Sequence, residues 1–447
     1  MPNHGQPITL TINSLTEKGD GIADWHGRKI FIPATLPGEQ VSVSLYGVKP
    51  KYAQAELNYI IQPHPKRVEP HCSYSECGGC QLSHFSYDAQ LELKRQQVVD
   101  ALAKKNIDHP VAVCLGMEYP LAFRNKAVFA VRSENGVSQI GFYRKNSHQV
   151  IDISACPIQH PQTAEIITTI RNWMNEFQIQ GYDETNHSGC LRYVMIRHGF
   201  KANTCMVVLV TLSDELPAEQ ELIARLTANG EIDSIIQNIN PERVNRILGE
   251  RQRIHFGSEA IEDVLHDLKF NISAHSFYQV NPQQTDRLYA TALDYAELKG
   301  EETVFDIYCG IGTISLYLAQ AARHVIGIEV VEQAINDARH NAEINQLANT
   351  EFYVGKAEEV VPALYTKGYK ADVMVVDPPR KGCEPVVLKT MADMRPERIV
   401  YVSCDPDSLA RDLVLLCKSG YQLTKVQPVD MFPHSMHVET VVQLVKS

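Results

Sequence analysis

The fold of this chain is decided by Phe305-Asp306-Ile307-Tyr308-Cys309-Gly310-Ile311-Gly312-Thr313. An apolar run with the character of a buried strand leads into a Gly-x-Gly turn, and a helical pattern follows. Gly310 and Gly312 would let a ligand approach the backbone at the point where the helix begins. Dinucleotide-binding folds share this pattern, so by itself it predicts a nucleotide-like ligand without choosing one.

The residues around that stretch alternate between strand and helix patterns from 303 to 442. The strand patterns are Val304–Tyr308, His324–Glu329, Glu351–Val354, Val373–Val376, Arg398–Val402 and Thr424–Val429. Helical patterns lie between them. This rhythm predicts a mostly parallel α/β sheet with helices on both faces, whose ligands lie outside the carboxyl ends of the strands.

Glu329 ends the second strand, where a carboxylate can accept both hydroxyls of a ribose. Two further features of the strand ends favour S-adenosylmethionine over a nicotinamide cofactor. The glycine turn lacks the third glycine that a pyrophosphate site requires. Asp377, in Asp377-Pro378-Pro379-Arg380, follows the fourth strand, where its carboxylate would attract a cationic cofactor and repel a pyrophosphate.

Cys404 lies in Val402-Ser403-Cys404-Asp405-Pro406, between an apolar run and an Asp-Pro turn. A free cysteine at the end of a strand is ordinarily buried and inert. Cys404, however, is predicted at the same sheet edge as Tyr308, Glu329 and Asp377. This convergence favours a nucleophile over a buried apolar filler.

A second cysteine pattern lies upstream. Cys72, Cys77 and Cys80 fall within nine residues, and two glycines between them would let the backbone wrap around one centre. Cys156 is the candidate fourth ligand. Eleven cysteines in a chain of this length do not indicate a small disulfide scaffold, and clustered thiolates select zinc or an iron–sulfur cluster. The spacing is also that of plant-type [2Fe–2S] ferredoxins.

The first third of the chain has the features of a nucleic-acid-binding module. The whole chain carries a net charge of −11, but residues 1–150 hold 16 Lys and Arg against 13 Asp and Glu. Residues 6–62 alternate like short strands separated by glycine turns, which predicts a small barrel of the oligonucleotide-binding kind. Cations lie near potential stacking rings in this segment: Lys29, Lys49 and Lys51, with Trp25, Phe31 and Tyr52.

The middle of the chain mixes strand and helix patterns. Three segments combine aromatic rings with cations: Phe123-Arg124-Asn125-Lys126, Gly141–Lys145 and Leu191-Arg192-Tyr193. Such segments suit contacts with phosphates and unpaired bases, although they also occur at ordinary solvated strand edges. No apolar run is long enough to span a membrane and no secretion pattern is present, so a cytoplasmic protein is expected.

Taken together, the motifs resemble those of the RNA uridine-C5 methyltransferase family over nearly the full length of the chain. The matching segments are Gly19-Asp20-Gly21 and Leu36-Pro37-Gly38-Glu39, which resemble the TRAM domain, together with Phe277–Asn281, Tyr308–Gly312, Asp377–Arg380, Ser403–Pro406 and Phe432–Glu439. The resemblance implies a class I, Rossmann-like methyltransferase domain at 271–447 and an OB-like TRAM barrel at 1–62. A mixed α+β RNA-binding domain with the cysteines would fill 63–270, and its helix at 85–106 could pack on the catalytic domain.

The same resemblance assigns roles to residues. It implies that Gln279, Tyr308, Glu329 and Asp377 bind S-adenosylmethionine, that Cys404 is the nucleophile and that Glu439 is the base. A TRAM domain with four cysteines points to the branch that methylates 23S ribosomal RNA, with a [4Fe–4S] cluster on Cys72, Cys77, Cys80 and Cys156. Family members usually have one more residue between the first two cysteines. No membrane and no obligate protein partner are implied.

Several alternatives remain open from the sequence. A transfer RNA uridine-C5 methyltransferase shares the catalytic motifs. A nicotinamide oxidoreductase with an iron–sulfur centre would explain the glycine turn and the cysteines. An amino-group methyltransferase is less favoured, because those enzymes usually follow Asp-Pro-Pro with an aromatic residue, whereas this chain has Arg380. A non-catalytic RNA-binding protein would leave Cys404 and Glu439 unexplained.

Overall fold

Alternating side chains at the beginning of the chain form a six-stranded sheet around a small apolar core. The structure is a computed structural model that describes residues 7–447, so residues 1–6 of the predicted first domain lie outside it. The strands are β1 (Pro7–Thr11), β2 (Ser14–Leu15), β3 (Gly21–Trp25), β4 (Arg28–Ile32), β5 (Gln40–Tyr46) and β6 (Tyr52–Gln62). Their order in the sheet is β1-β5-β6-β4-β3-β2, and inward-facing residues such as Ile30 and Val43 are fully buried.

A buried carboxylate joins this sheet to the segment that follows. Glu39 is completely buried and accepts backbone hydrogen bonds from Leu36 at 2.8 Å and from His64 at 3.1 Å. Arg67 donates to it at 2.6 Å. A charge can stay buried when it is paired and hydrogen-bonded in this way, so Glu39 fixes the start of the linker against the sheet.

Helix α1 (Tyr87–Ala103) follows a single 3-10 turn at Ser75–Cys77. Its buried side chains include Gln90, Lys94, Val98 and Leu102. Val98 and Leu102 pack into the apolar core of the C-terminal sheet, next to Leu409 and Leu413. The helix is therefore part of the wall of the catalytic unit, although it precedes that unit by some two hundred residues.

The middle of the chain forms a seven-stranded sheet in the order β13-β12-β11-β10-β7-β8-β9. Its elements are β7 (Lys126–Glu134), β8 (Val137–Tyr143), β9 (Val150–Asp152), α2 (Gln162–Glu176), β10 (Leu191–Gly199), β11 (Thr204–Thr211), α3 (Glu219–Thr227), β12 (Ser234–Ile239) and β13 (Arg251–Gly257). Helices α2 and α3 pack on this sheet around Trp173 and Phe129, both of which are fully buried.

A hairpin of β14 (Ala260–Leu265) and β15 (Leu268–Ser273) leads into helix α4 (Pro282–Ala296). Phe270 and Ile272 share a core with Leu288 of α4 and Val304 of the sheet that follows. The predicted boundary between residues 270 and 271 falls inside β15.

The last part of the chain forms a second seven-stranded sheet in the order β18-β17-β16-β19-β20-β22-β21. Its elements are β16 (Thr303–Ile307), α5 (Thr313–Ala319), β17 (His324–Glu329), α6 (Glu332–Ile344), β18 (Thr350–Val354), α7 (Ala357–Thr366), β19 (Val373–Val376), α8 (Pro385–Met394), β20 (Arg398–Ser403), α9 (Pro406–Lys418), β21 (Tyr421–Val429) and β22 (Glu439–Lys446). The first five strands in this order are parallel, so the predicted architecture is confirmed.

Sequence reasoning missed helix α7 and one strand of this sheet, β22. Strand β22 is antiparallel to both of its neighbours and lies between β20 and β21. Residues 439–446 are almost entirely buried, which is why their apolar run shows no clean alternation. Within residues 7–447, no helix combines the length and the apolar character that crossing a bilayer requires.

Candidate active site

The predicted cofactor and catalytic residues come together at the carboxyl edge of the C-terminal sheet. One cavity of about 840 Å³ is lined by all six of them: Gln279, Tyr308, Glu329, Asp377, Cys404 and Glu439. The ends of five strands and the segment before α4 contribute these side chains. This is where a doubly wound sheet is expected to bind its ligands.

The two glycines of the turn after β16 have different functions. Gly312 begins α5 with φ at +81°, and a Cβ there would lie 3.1 Å from the Cβ of Ala338, so its lack of a side chain allows α5 and α6 to approach closely. Gly310 has φ at +55°, and a Cβ there would meet no atom within 4 Å. Gly310 lines the cavity, so its bare backbone leaves room for a ligand.

Glu329 is held rigidly at the end of β17. Its carboxylate accepts backbone hydrogen bonds from Gly310 at 3.3 Å and from Val331 at 2.9 Å. Two exposed apolar side chains, Val330 and Val331, lie beside it on the cavity wall. A fixed carboxylate next to apolar surface suits the ribose and the flat base of a nucleoside.

Two acids near the turn make the cavity attractive to a cation: Asp306 is fully buried, and Asp377 is half-buried in the cavity wall. Asp306 accepts a 2.5 Å hydrogen bond from Ser315, and burial raises its pKa to about 7. Burial, with the nearby Asp306 carboxylate, raises the pKa of Asp377 to about 7 as well. A bound positive charge would favour ionisation of both acids, so the pair suits a sulfonium. Asp306 lies in the stretch that decides the fold, but the sequence pattern alone assigned it no role.

Cys404 and Glu439 lie side by side because of the antiparallel strand. The last paired residues of β20 and β22 are Ser403 and Thr440, so the next position on each strand brings Cys404 next to Glu439. The turn at Cys404 is fixed, since Asp405 caps α9 by accepting a 2.7 Å hydrogen bond from the backbone of Ser408.

The charges around this pair keep both protons in place in the free protein. Burial, followed by Glu439 and Asp377, raises the pKa of the Cys404 thiol to about 12, while Arg380 opposes the shift. Burial and Asp377 raise the pKa of Glu439 to about 8, again against Arg380. Glu439 is only 4% exposed. A carboxyl with its pKa near the working pH suits a general base.

The two histidines close to Glu439 in the sequence occupy different environments. His437 is exposed and lines the cavity. His434 is buried outside this cavity and makes hydrogen bonds to the segment that contains α1. Only His437 could therefore meet a ligand there.

The four cysteines predicted to bind metal line a second cavity, of about 550 Å³, between the first sheet and the middle sheet. Backbone amides donate to two of the sulfurs, from Tyr74 to Cys72 at 3.4 Å and from Gly79 to Cys77 at 3.5 Å. Burial, and then Cys156, raise the pKa of Cys80 to about 12. The thiols are neighbours, but no three His, Cys, Asp or Glu side chains in residues 7–447 are arranged to hold a metal ion.

Two of the three segments expected to contact RNA in the middle of the chain are partly internal. Phe123, Asn125 and Arg192 are each 2% exposed, so the expectation is wrong for these three residues. Asn125 instead donates from its side chain to the carbonyl of Gln279 at 2.9 Å, and its backbone donates to Val280 at 2.9 Å. It thereby holds a predicted cofactor residue in place.

The fold and the cavity together define a class I S-adenosylmethionine-dependent methyltransferase. A model of the tRNA (uracil-5-)-methyltransferase family matches residues 229–447, and a TRAM domain model matches residues 3–57. An uncharacterized RNA methyltransferase of Listeria monocytogenes serotype 4b is 48% identical over 98% of this chain and 97% of its own length. Another from Halalkalibacterium halodurans is 47% identical over 99% and 97%.

Among solved structures, the crystal structure of Pyrococcus abyssi tRNA (uracil-54, C5)-methyltransferase with S-adenosyl-L-homocysteine is similar, with a TM-score of 0.79. It is 29% identical and covers 98% of this chain and 100% of its own. The chain thus belongs to the S-adenosylmethionine-dependent RNA uracil-C5 methyltransferase family and carries an N-terminal TRAM domain.

Proposed function

We propose that this protein methylates carbon 5 of a uridine in 23S ribosomal RNA, with Cys404 as the nucleophile and Glu439 as the base. The observation that carries this proposal is the placement of Cys404 beside a buried Glu439, in the same cavity as Glu329 and Asp377. A thiol and a carboxylic acid on adjacent strand ends could act on the two neighbouring carbons of one carbon–carbon double bond.

The chemistry explains why these two residue types are needed. Carbon 5 of uracil is a weak nucleophile until a thiolate adds to carbon 6, so Cys404 must first lose its proton and form the carbon–sulfur bond. S-adenosylmethionine, when bound, supplies the methyl group as a sulfonium electrophile. Glu439 then takes the proton from carbon 5, the ring double bond reforms and the Cys404 thiolate is released. The released Cys404 thiolate regains from solvent the proton that the thiol lost to solvent at the start, and Glu439 gives the carbon-5 proton to solvent, so the enzyme is unchanged after one turnover.

Arg380 is the cation best placed to assist this cycle. It lines the cavity, and its charge acts on both Cys404 and Glu439. The other two cations in the lining already face acids, since Lys381 contacts Glu384 at 2.5 Å and Lys356 lies 3.7 Å from Glu359. A guanidinium that forms no ion pair within residues 7–447 can stabilise the thiolate and the oxyanion that forms on the uracil ring.

The target must leave its base stack to reach this cavity. A uridine inside a helix has carbon 5 and carbon 6 covered by its neighbours, so it must be flipped out of the stack. The TRAM sheet carries the exposed rings of Tyr52 and Tyr59, and Tyr52 lies next to Lys49 and Lys51. Such a surface suits the unpaired RNA that flanks a flipped nucleotide.

The choice between ribosomal and transfer RNA rests on the four cysteines and the TRAM domain. Their combination supports 23S ribosomal RNA through the family resemblance. Transfer RNA is the second candidate, because the similar Pyrococcus abyssi enzyme is named for position 54 of tRNA and has nearly the same extent as this chain. Mapping 5-methyluridine in both RNAs from cells that lack the gene tests this choice. A site lost only from tRNA would overturn the ribosomal assignment.

We also propose that Cys72, Cys77, Cys80 and Cys156 hold a [4Fe–4S] cluster. All four thiols are free and line one cavity, and an all-thiolate donor set with amide hydrogen bonds to sulfur suits an iron–sulfur centre. The cluster would organise the loop between the TRAM sheet and the middle sheet. Iron and acid-labile sulfide should be found after anaerobic purification, whereas stoichiometric zinc without sulfide would reject the cluster.

Purified protein tests the catalytic assignments directly. A ribosomal RNA transcript with labelled S-adenosylmethionine should give 5-methyluridine with the wild type. It should give an RNA adduct that survives denaturation with Glu439→Gln. If Glu439→Gln accumulates no adduct while its Cys404 remains reactive to alkylation, the assignment of the base is wrong.

A further inference from the structure

The loop at residues 430–438, which leads from β21 into Glu439, is fastened to helix α1. We propose that Gln90 and Lys94 of α1 are positioning residues that hold this loop, and hence Glu439, in the geometry needed to remove the proton from carbon 5. The inference rests on the proposed function. It concerns a helix that lies more than three hundred residues before the base in the sequence.

Glu439 itself shows why the loop matters. Among residues 7–447, no side chain or backbone group donates a hydrogen bond to the Glu439 carboxyl, although the residue is 4% exposed. The position of the carboxyl therefore follows from the backbone on either side of it. On one side this backbone is the paired strand β22, and on the other it is the loop.

Gln90 holds the middle of the loop through His434. The Gln90 side-chain oxygen accepts from the His434 backbone at 2.9 Å, and its Nε2 lies 3.3 Å from His434 Nδ1. His434 Nε2 donates to the carbonyl of Pro120 at 2.9 Å, and its own carbonyl accepts from Leu82 at 2.8 Å. The backbone of His434 has φ at +66°, a region that non-glycine residues seldom adopt, so this conformation needs such support.

Gln90 is in turn fixed from the other side. Its Nε2 donates to the carbonyls of Leu82 at 3.0 Å and Phe85 at 2.8 Å. Gln90 is fully buried, so its amide has no water to replace a lost partner. It therefore acts as a buried connector between the backbone before α1 and the loop.

Lys94 holds the start of the loop. It forms an ion pair with Asp430 in which both side chains are completely buried, and its Nζ also donates to the carbonyl of Phe432 at 2.9 Å. Tyr87 donates to the same Asp430 at 2.7 Å and accepts from the backbone of Met117 at 2.9 Å. A buried pair with additional hydrogen bonds specifies one geometry better than apolar packing does.

The experiment separates methyl transfer from the step that needs the base. RNA labelled with tritium at carbon 5 of the target uridine reports proton removal, and a carbon-14 methyl group on S-adenosylmethionine reports transfer. Gln90→Leu and Lys94→Met are compared under single-turnover conditions with matched surface controls. Gln96→Leu makes the same substitution on the exposed side of α1, and Lys104→Met removes an exposed ion pair with Asp407.

We expect methyl transfer in Gln90→Leu and Lys94→Met to stay within about threefold of the wild type, whereas tritium release falls about tenfold to a hundredfold, the usual cost of misplacing a catalytic group. The methylated, denaturation-stable RNA adduct should therefore accumulate, as with Glu439→Gln. The two surface controls should resemble the wild type. A positioning role is refuted if both signals fall in proportion and no adduct builds up, because that result indicates only a smaller folded fraction.

A folding failure does not leave the inference untested. Gln90→Glu keeps the volume and the acceptor for the His434 backbone but loses the donors to Leu82 and Phe85, so it should show a smaller accumulation of the same adduct. If Gln90→Glu folds and shows none, the inference fails. Failure of the proposed function would be seen separately, as a wild type that forms no adduct and releases no tritium from any uridine-containing RNA.

Discussion

The breakdown of the covalent RNA adduct should depend on pH through Glu439. Burial and the Asp377 carboxylate raise the pKa of Glu439 to about 8. Only the ionised form can accept the proton from carbon 5, so about one-tenth of the enzyme is competent at pH 7 and about nine-tenths at pH 9. The rate of adduct breakdown should rise about tenfold over this interval. The raised pKa of Glu439 should persist in the methylated adduct, because the cofactor has by then lost its positive charge whereas the Asp377 carboxylate remains.

The assay begins from a formed adduct so that Cys404 ionisation does not enter. The enzyme is mixed with RNA carrying tritium at carbon 5 and excess S-adenosylmethionine, quenched at short times across the pH range and scored for tritium release and for adduct. In Glu439→Gln, the rate of adduct breakdown should not depend on pH and should be reduced by about a hundredfold or more. A wild-type rate that is flat between pH 6 and pH 9, or has its midpoint near the ordinary carboxyl value, refutes the reasoning.

Four further outcomes follow from the structure. Cys404→Ala should abolish both adduct and 5-methyluridine, as measured by gel and by nucleoside mass spectrometry. Gly310→Val should weaken S-adenosylmethionine binding about tenfold or more in calorimetry, because its side chain would occupy the open side of the turn. Glu439→Gln should raise the free energy of unfolding at pH 9 by about 1 kcal/mol or more and have little effect at pH 5. Because the pKa of Glu439 is raised, its contribution to the free energy of unfolding is full at low pH and is lost as pH rises through about 8. Lys94→Met should lower the free energy of unfolding by about 3–5 kcal/mol in urea titration, because it leaves a buried charge unpaired, whereas Lys104→Met should change it by less than about 1 kcal/mol.

The α/β sheet was predictable because parallel strands buried on both faces leave a strong signal. Residues 373–376 are a continuous apolar run, residues 304–307 are apolar except for the buried Asp306, and the glycines and acids that follow both runs mark one edge. Since the carboxyl ends of parallel strands lie at one edge, Glu329, Asp377 and Cys404 could be placed together before any coordinates.

The location of Glu439 could be inferred only from the family motif. Its strand is the one in this sheet that runs antiparallel to the strand carrying Cys404, and an isolated apolar run does not reveal direction or neighbours. The support from α1 was also hidden, because Gln90 and Lys94 look like ordinary polar positions on a surface helix. The pairing of Lys94 with Asp430 spans 336 positions, and no local pattern can report it.

At residues 123–126, the sequence predicted an RNA contact that the structure does not support. Cations next to aromatic rings look like an RNA surface, but Phe123 and Asn125 are buried, and Asn125 holds the segment that contains Gln279. Composition cannot distinguish a polar side chain that contacts a ligand from one that forms a hydrogen bond with a buried backbone group.

The order in which the sheet is assembled has a consequence for synthesis of the protein. Strand β22 follows β21 along the chain but is inserted between β21 and β20, so a growing polypeptide presents its thiol thirty-five residues before the partner acid exists. The active site is therefore completed only when residues 439–446 insert between β20 and β21.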